Sequence, residues 1–176
     1  MARGYKAERV VGLLSAPADL RPHPRQNQDV RVQSLSEADD DLWEQVVQLQ
    51  LATGDRHLEE LFIRRRLHDL RVLFQAGRGG WYVARDPVTD EVVGSLGIVV
   101  TGGRARFQTV DTAPAHQRRG ICSRLVVDAA GDAARRWAVS EFAIVAERAY
   151  HALGLYESLG FQAREFACGV CRRPPS

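Results

Sequence analysis

The chain has 176 residues, 45% hydrophobic and 26% charged, which fits one globular domain with or without a short appendage. Its 24 basic and 22 acidic side chains leave a formal net charge of +2, so no electrostatic pull toward nucleic acid or an anionic membrane is expected. No apolar run is long enough to span a bilayer, Arg3, Lys6, Glu8 and Arg9 interrupt any signal-like start, and three cysteines form no disulfide framework, so the expectation is a cytoplasmic protein.

Gly4–Leu14 has the composition of a strand, and Ser15–Asp29, with three prolines and no apolar period, reads as a linker. The expected division is therefore an arm and linker over 1–29 and a compact domain over 30–176. Within that domain Val30–Leu35 reads as a short strand. Ser36, with Asp39 three residues on, reads as a helix cap, and Leu42, Val46 and Leu49 follow at helical spacing. A second helix is predicted from Arg56 to Phe74, with Ile63, Leu67, Leu70 and Phe74 on one stripe; its Arg64–Arg66 run reads as a solvated face. Trp81–Arg85 and Glu91–Val100 read as a strand pair around the turn Asp86–Asp90, and Arg104–Thr112 as a third strand. A helix over Arg118–Trp137, a strand over Phe142–Ala146, a helix over Glu147–Leu159 and a strand over Phe161–Cys171 complete the chain. Tight turns between neighbouring strands predict an α/β (α+β) fold with a mixed, mostly antiparallel sheet flanked by helices.

The chemistry concentrates after the third strand. Pro114 closes it, and Gln117-Arg118-Arg119-Gly120-Ile121-Cys122 opens a helix. Free amides at a helix start, with the helix dipole behind them, attract anions. Gly120 has no side chain to hold a phosphate away, and Arg118, Arg119 and Arg124 add positive charge. Neither a Walker A nor a GxGxxG pattern is present, so ATP and NAD have no support here.

This strand–turn–helix resembles motif A of the GNAT superfamily of acyl-CoA N-acyltransferases, whose pattern is Gln/Arg-x-x-Gly-x-Gly/Ala; Cys122 departs from it at the last position. A second resemblance follows about thirty residues on, where Leu155-Tyr156-Glu157-Ser158-Leu159-Gly160-Phe161 is similar to the end of motif B. The resemblance runs from Val30 to Cys171 and is densest from Arg106 to Phe161. It implies acetyl-CoA as cosubstrate, no metal, and direct transfer of the acetyl group to a small-molecule or peptide amine. The amides of Arg118, Arg119, Gly120, Ile121, Cys122 and Ser123, with Gln117, would hold the pyrophosphate. Backbone groups of Val110, Asp111 and Thr112 would hold the pantetheine arm, one N–H would stabilise the oxyanion, and Tyr156 would protonate the leaving thiolate.

The general base is not carried over by the resemblance. Strict alternation puts Arg106, Gln108, Val110 and Thr112 on one face of the strand and Phe107, Thr109 and Asp111 on the other, leaving no carboxylate toward substrate. Gln108 is then the group able to position a water, with Asp111 and His151 as further candidates. The Asn common in the family seven residues before the Tyr is Ala149 here. The alternative is a degenerate member that binds acyl-CoA as a sensor or scaffold. Cys168 and Cys171 lie three apart in a predicted strand and lack a second ligand pair for zinc. The thiol of Cys122, beside a helix start, is expected to have a lowered pKa. Gly4-Tyr5-Lys6-Ala7 echoes Gly160-Phe161-Gln162-Ala163. The arm is therefore expected to add as a strand to its own sheet or to a partner's, which would make a homodimer.

Overall fold

The computed structural model describes residues 5–36, 38–54, 60–147 and 152–172. Among these residues seven strands and four α-helices follow in the order β1 (Tyr5–Ser15), β2 (Arg31–Ser34), α1 (Asp40–Thr53), α2 (Glu60–Gln75), β3 (Gly79–Arg85), β4 (Val92–Thr101), β5 (Arg104–Thr112), α3 (Ile121–Trp137), β6 (Glu141–Glu147), α4 (Ala152–Ser158) and β7 (Gln162–Arg172). His151, Ala149 and Arg56 fall outside the described residues.

The strands form one sheet in the order β2-β3-β4-β5-β6-β1-β7. Every neighbouring pair is antiparallel except β5 and β6. That one parallel ladder is short: it runs from Arg104 opposite Glu141 to Arg106 opposite Ala143 and stops. β5 goes on to Thr112 and β6 to Glu147, so the two strands part and leave a gap between their C-terminal halves.

The arm is an interior strand. β1 hydrogen-bonds to β6 from Val10 opposite Glu147 to Ser15 opposite Phe142, and to β7 along its other edge. Alternation drives the placement, because Val11, Leu13 and Ser15 point into the protein and are buried. The resulting pairing is within the chain's own sheet, of the two placements the arm's composition allowed.

Two apolar clusters sandwich the sheet. On one face α1 and α2 pack Trp43, Val46, Ile63 and Leu67 against Trp81, Val83 and Val92. On the other, α3 packs Leu125, Val126, Ala129 and Ala133 against Tyr82, Ile98 and Phe107, with Leu13, Tyr156 and Phe161 in the same cluster. Trp81 and Val83 thus face one layer and Tyr82 and Ala84 the other, as a strand buried on both faces requires.

Two helix starts differ from expectation. α1 begins at Asp40, not at Ser36: Asp39 is the cap residue and its carboxylate accepts the Ser36 amide at 2.7 Å, while the Trp43 indole N–H donates to the Ser36 carbonyl at 3.0 Å. α3 begins at Ile121, not at Arg118, because Arg118 and Gly120 have φ of 59° and 75°, which no right-handed helix contains.

Leu13 is 0% exposed. Leu13→Ala is therefore expected to cost about 2–5 kcal/mol, the range for an interior aliphatic side chain, measured as a lowered denaturation midpoint with unchanged slope. A change within about 0.5 kcal/mol, as for a surface tail, would contradict the interior placement of β1.

Candidate functional site

Where β5 leaves β6, a cavity of about 280 Å³ opens against the start of α3. Its floor is apolar, from Val110 on β5, Ile121 and Cys122 on α3, and Ala152 and Leu155 on α4. Its rim is polar and basic, from His116, Gln117 and Arg118 and, from the segment after β1, His23 and Arg25. Thr112, Gly120 and Ser123 complete the wall.

The first intrahelical bond of α3 runs from the Arg124 amide to the Gly120 carbonyl at 3.2 Å. The amides of Arg118 to Ser123 donate to no described residue, so the positive end of the helix is unspent. Ser123 is buried and its hydroxyl caps back onto the Gly120 carbonyl at 2.8 Å. Arg118 and Arg25 make no ion pair with any described residue, whereas Arg124 is tied to Asp128 at 2.5 Å.

Gly120 has a different reason from the one its motif suggests. A Cβ there would lie 2.1 Å from the Arg25 carbonyl oxygen and 2.7 Å from the Asn27 nitrogen. The space a side chain would need is filled by the chain after β1, not kept clear for a phosphate, and the left-handed φ favours glycine independently. A substitution such as Gly120→Asp would therefore disturb local structure as well as any anion.

The strand leading into the site is bulged. Pairing steps from Gly97 opposite Gln108 to Ser95 opposite Asp111, so β5 carries one extra residue, and Thr109 takes it up with φ of 44°. The bulge overturns strict alternation. Val110 and Thr112 face the cavity, while Gln108 and Asp111 share the face toward α1 and α2. Gln108 sits next to Gly97, where an added Cβ would be 3.4 Å from the Gln108 Cβ and 2.6 Å from the Trp81 ring. It does not line the cavity.

Asp111 is the carboxylate that the alternation argument placed out of reach. Burial pushes its pKa up to about 6, against the opposing pull of the Thr53 hydroxyl and the Arg66 guanidinium. Thr53 has one hydroxyl hydrogen and also lies 2.9 Å from the Leu49 carbonyl, so its help to Asp111 is partial. Asp111 Oδ2 is buried and without a hydrogen-bond partner, as are Gln50 Nε2 and Arg66 Nε nearby on the same layer.

Tyr156 is buried, its ring edge-on to Phe161 with centroids 6.2 Å apart. It does not itself line the cavity; its hydroxyl donates to the sulfur of Cys122, which does. The expectation of a lowered Cys122 pKa fails. Burial first, and the negative charge of Asp111 second, push the thiol up to about 12, and the Tyr156 hydrogen bond offsets only part of this. The helix start does not compensate for this desolvation of the thiolate. Elsewhere, Cys168 is exposed on β7 opposite Arg9.

Sequence reasoning missed His23 and Arg25 because their segment lacks any periodic pattern. It named Asp111 among the further base candidates but put Gln108 first and Asp111 on the opposite face, because a bulge leaves no signal in residue type.

Residues 77–163 match the family model of the GNAT acetyltransferase domain, nearly half of the chain. Among solved structures, the GCN5-related N-acetyltransferase from Sphaerobacter thermophilus superposes with a TM-score of 0.75 at 18% identity, covering 97% of this chain and 54% of that one. A protein from Novosphingobium aromaticivorans assigned to the GNAT acetyltransferases gives 0.62 at 22%, covering 95% and 66%. A tandem GNAT protein from the clavulanic acid biosynthesis pathway gives 0.70 at 12%, covering 97% and 55%. At these identities the likeness establishes the fold. The chain spans between about half and two thirds of the length of those proteins. No curated protein matches it.

A protonated, half-buried Cys122 should react slowly. With iodoacetamide at pH 8, mass spectrometry should find Cys168 modified well before Cys122. Modification of Cys122 first would mean that its thiolate is stabilised, contrary to the burial and charge around it.

Proposed function

Residues 77–163 match the GNAT acetyltransferase domain, and from that premise we propose that this chain is a GNAT enzyme that transfers an acetyl group from acetyl-CoA to an amine in one direct step. The observation that carries the reading is the unspent amide cup at the start of α3, opening into a cavity that follows the gap between β5 and β6. Phosphates suit the basic rim, and a pantetheine arm suits the apolar floor beside Val110 and Leu155. The residues present therefore fit a CoA thioester, with no metal called for.

The chain's own groups then divide the work. Backbone N–H groups beside the bulge at Thr109 polarise the thioester carbonyl. Asp111 takes a proton from the attacking amine, directly or through one water. The new C–N bond forms as the C–S bond breaks, and the departing sulfur receives a proton originating on Tyr156. Cys122, hydrogen-bonded to Tyr156 and lining the cavity, stands between the phenol and that sulfur and passes the proton on without acting as a nucleophile.

A binding-only role was favoured by the missing carboxylate and by Ala149 in place of Asn. Asp111 supplies a carboxylate and weakens that reading. Release of free thiol from acetyl-CoA across a panel of amines decides between them; tight CoA binding with no turnover on any amine would favour the sensor.

If Asp111 is the base, its carboxylate form is required and is lost as pH falls through about 6. kcat/KM should therefore rise with pH across that value, and Asp111→Asn should lower it and abolish the limb. A limb that persists in the variant belongs to the amine. Tyr156→Phe should lower kcat about 10²–10⁴-fold with little change in KM for acetyl-CoA. Wild-type kcat, with chemistry limiting, would remove Tyr156 from the mechanism.

A further inference from the structure

The segment between β1 and β2, residues 16–30, is fastened along its length. The Arg21 amide donates to the Leu159 carbonyl at 3.0 Å, and Arg21 Nε to the Ser158 carbonyl at 3.3 Å. Further on, the Asn27 amide donates to the Gly120 carbonyl at 3.0 Å and Asn27 Nδ2 to the Arg119 carbonyl at 3.1 Å. Asn27 Oδ1 accepts the amides of Asp29 and Val30, both at 2.9 Å, which closes the strap into a turn. Gly120 admits the strap's backbone at a distance no other residue would allow.

The strap takes only carbonyl oxygens from the loop. The loop's amides, the groups able to bind an anion, remain open toward the cavity. Between its two anchors the strap carries His23 and Arg25 to the cavity wall, across from Arg118. The Arg25 amide donates to His23 Nδ1 at 3.0 Å, so in the neutral ring the proton resides on Nε2, which is left as a donor. The Arg25 guanidinium is exposed and has no acidic or hydrogen-bonding partner among the described residues.

We infer that the strap is the second wall of the cofactor's anion site, with Arg25 and His23 gripping phosphate of a CoA thioester opposite the amide cup of α3. The inference rests on the acyl-CoA reading and adds to it two binding residues from outside the motif loop. The phosphate has two possible sources within one ligand, the pyrophosphate and the 3′-phosphate. A planar guanidinium suits either by paired N–H bonds.

Calorimetry on the full chain tests this with CoA and dephospho-CoA as ligands, against wild type, Arg25→Gln and His23→Ala. CoA affinity should fall about tenfold or more in each variant, the loss expected for one charge-assisted contact, while the melting temperature without ligand stays at the wild-type value. An equal loss with dephospho-CoA places the contact on the pyrophosphate; a loss confined to CoA places it on the 3′-phosphate. Wild-type affinity for CoA in both variants overturns the strap's role and leaves the acyl-CoA reading standing. A wild type that does not bind CoA overturns both. Should His23→Ala loosen the turn held by its Nδ1, Arg25→Gln decides, since that side chain supports no contact within the fold.

Discussion

Everything at this site depends on β5 parting from β6. Two strands that stay paired satisfy each other's amides and carbonyls and leave no room for a ligand. Here the ladder ends at Arg106 opposite Ala143, and the edges beyond need other partners. β6 has β1 on its far edge, from Val10 to Ser15, so beyond Ala143 its gap-facing edge has no strand partner among the described residues. β5 keeps β4 on its other side, with the bulge at Thr109 bending it away. The gap is thus held open from both sides, and the start of α3 is set at its mouth.

That arrangement explains which parts of the protein could be read from residues alone. The loop Gln117–Cys122 was legible because its meaning is local: a proline, two arginines and a glycine at the junction of a strand and a helix. The elements around it were legible because their apolar periods are strong, and β5 was placed at Arg104–Thr112 with its observed bounds. The bulge was not, since Thr109 is an ordinary strand residue whose left-handed conformation is imposed by neighbours. One inserted residue inverts the face of everything after it, so the same nine residues gave correct bounds and the wrong side for Asp111. The strap failed for the opposite reason. Its prolines and polar residues look like a linker because its order comes from single hydrogen bonds to distant backbone, which no period encodes.

Asp111, Cys122 and Tyr156 constrain one another. Asp111 holds a raised pKa because burial opposes its charge, and that same charge, when present, raises the Cys122 thiol. The Tyr156 hydroxyl in turn offsets part of that rise through its hydrogen bond to Cys122. A smaller residue at 122 would leave Tyr156 facing the cavity directly. With Cys122 in place, Tyr156 and Asp111 are coupled through a polarisable sulfur whose thiol stays protonated.

Gly120 ties the N-terminal strand to this chemistry. Its missing side chain admits the strap, the strap is positioned by β1 at one end and β2 at the other, and β1 is held by β6 and β7. The residue that reads as a phosphate-loop glycine is therefore also the contact through which the first thirty residues reach the cavity. A side chain at 120 would clash with the Arg25 carbonyl and strain the left-handed backbone, so it would disturb the strap and the loop together. Only substitutions on the strap itself separate the strap's contribution from the loop's.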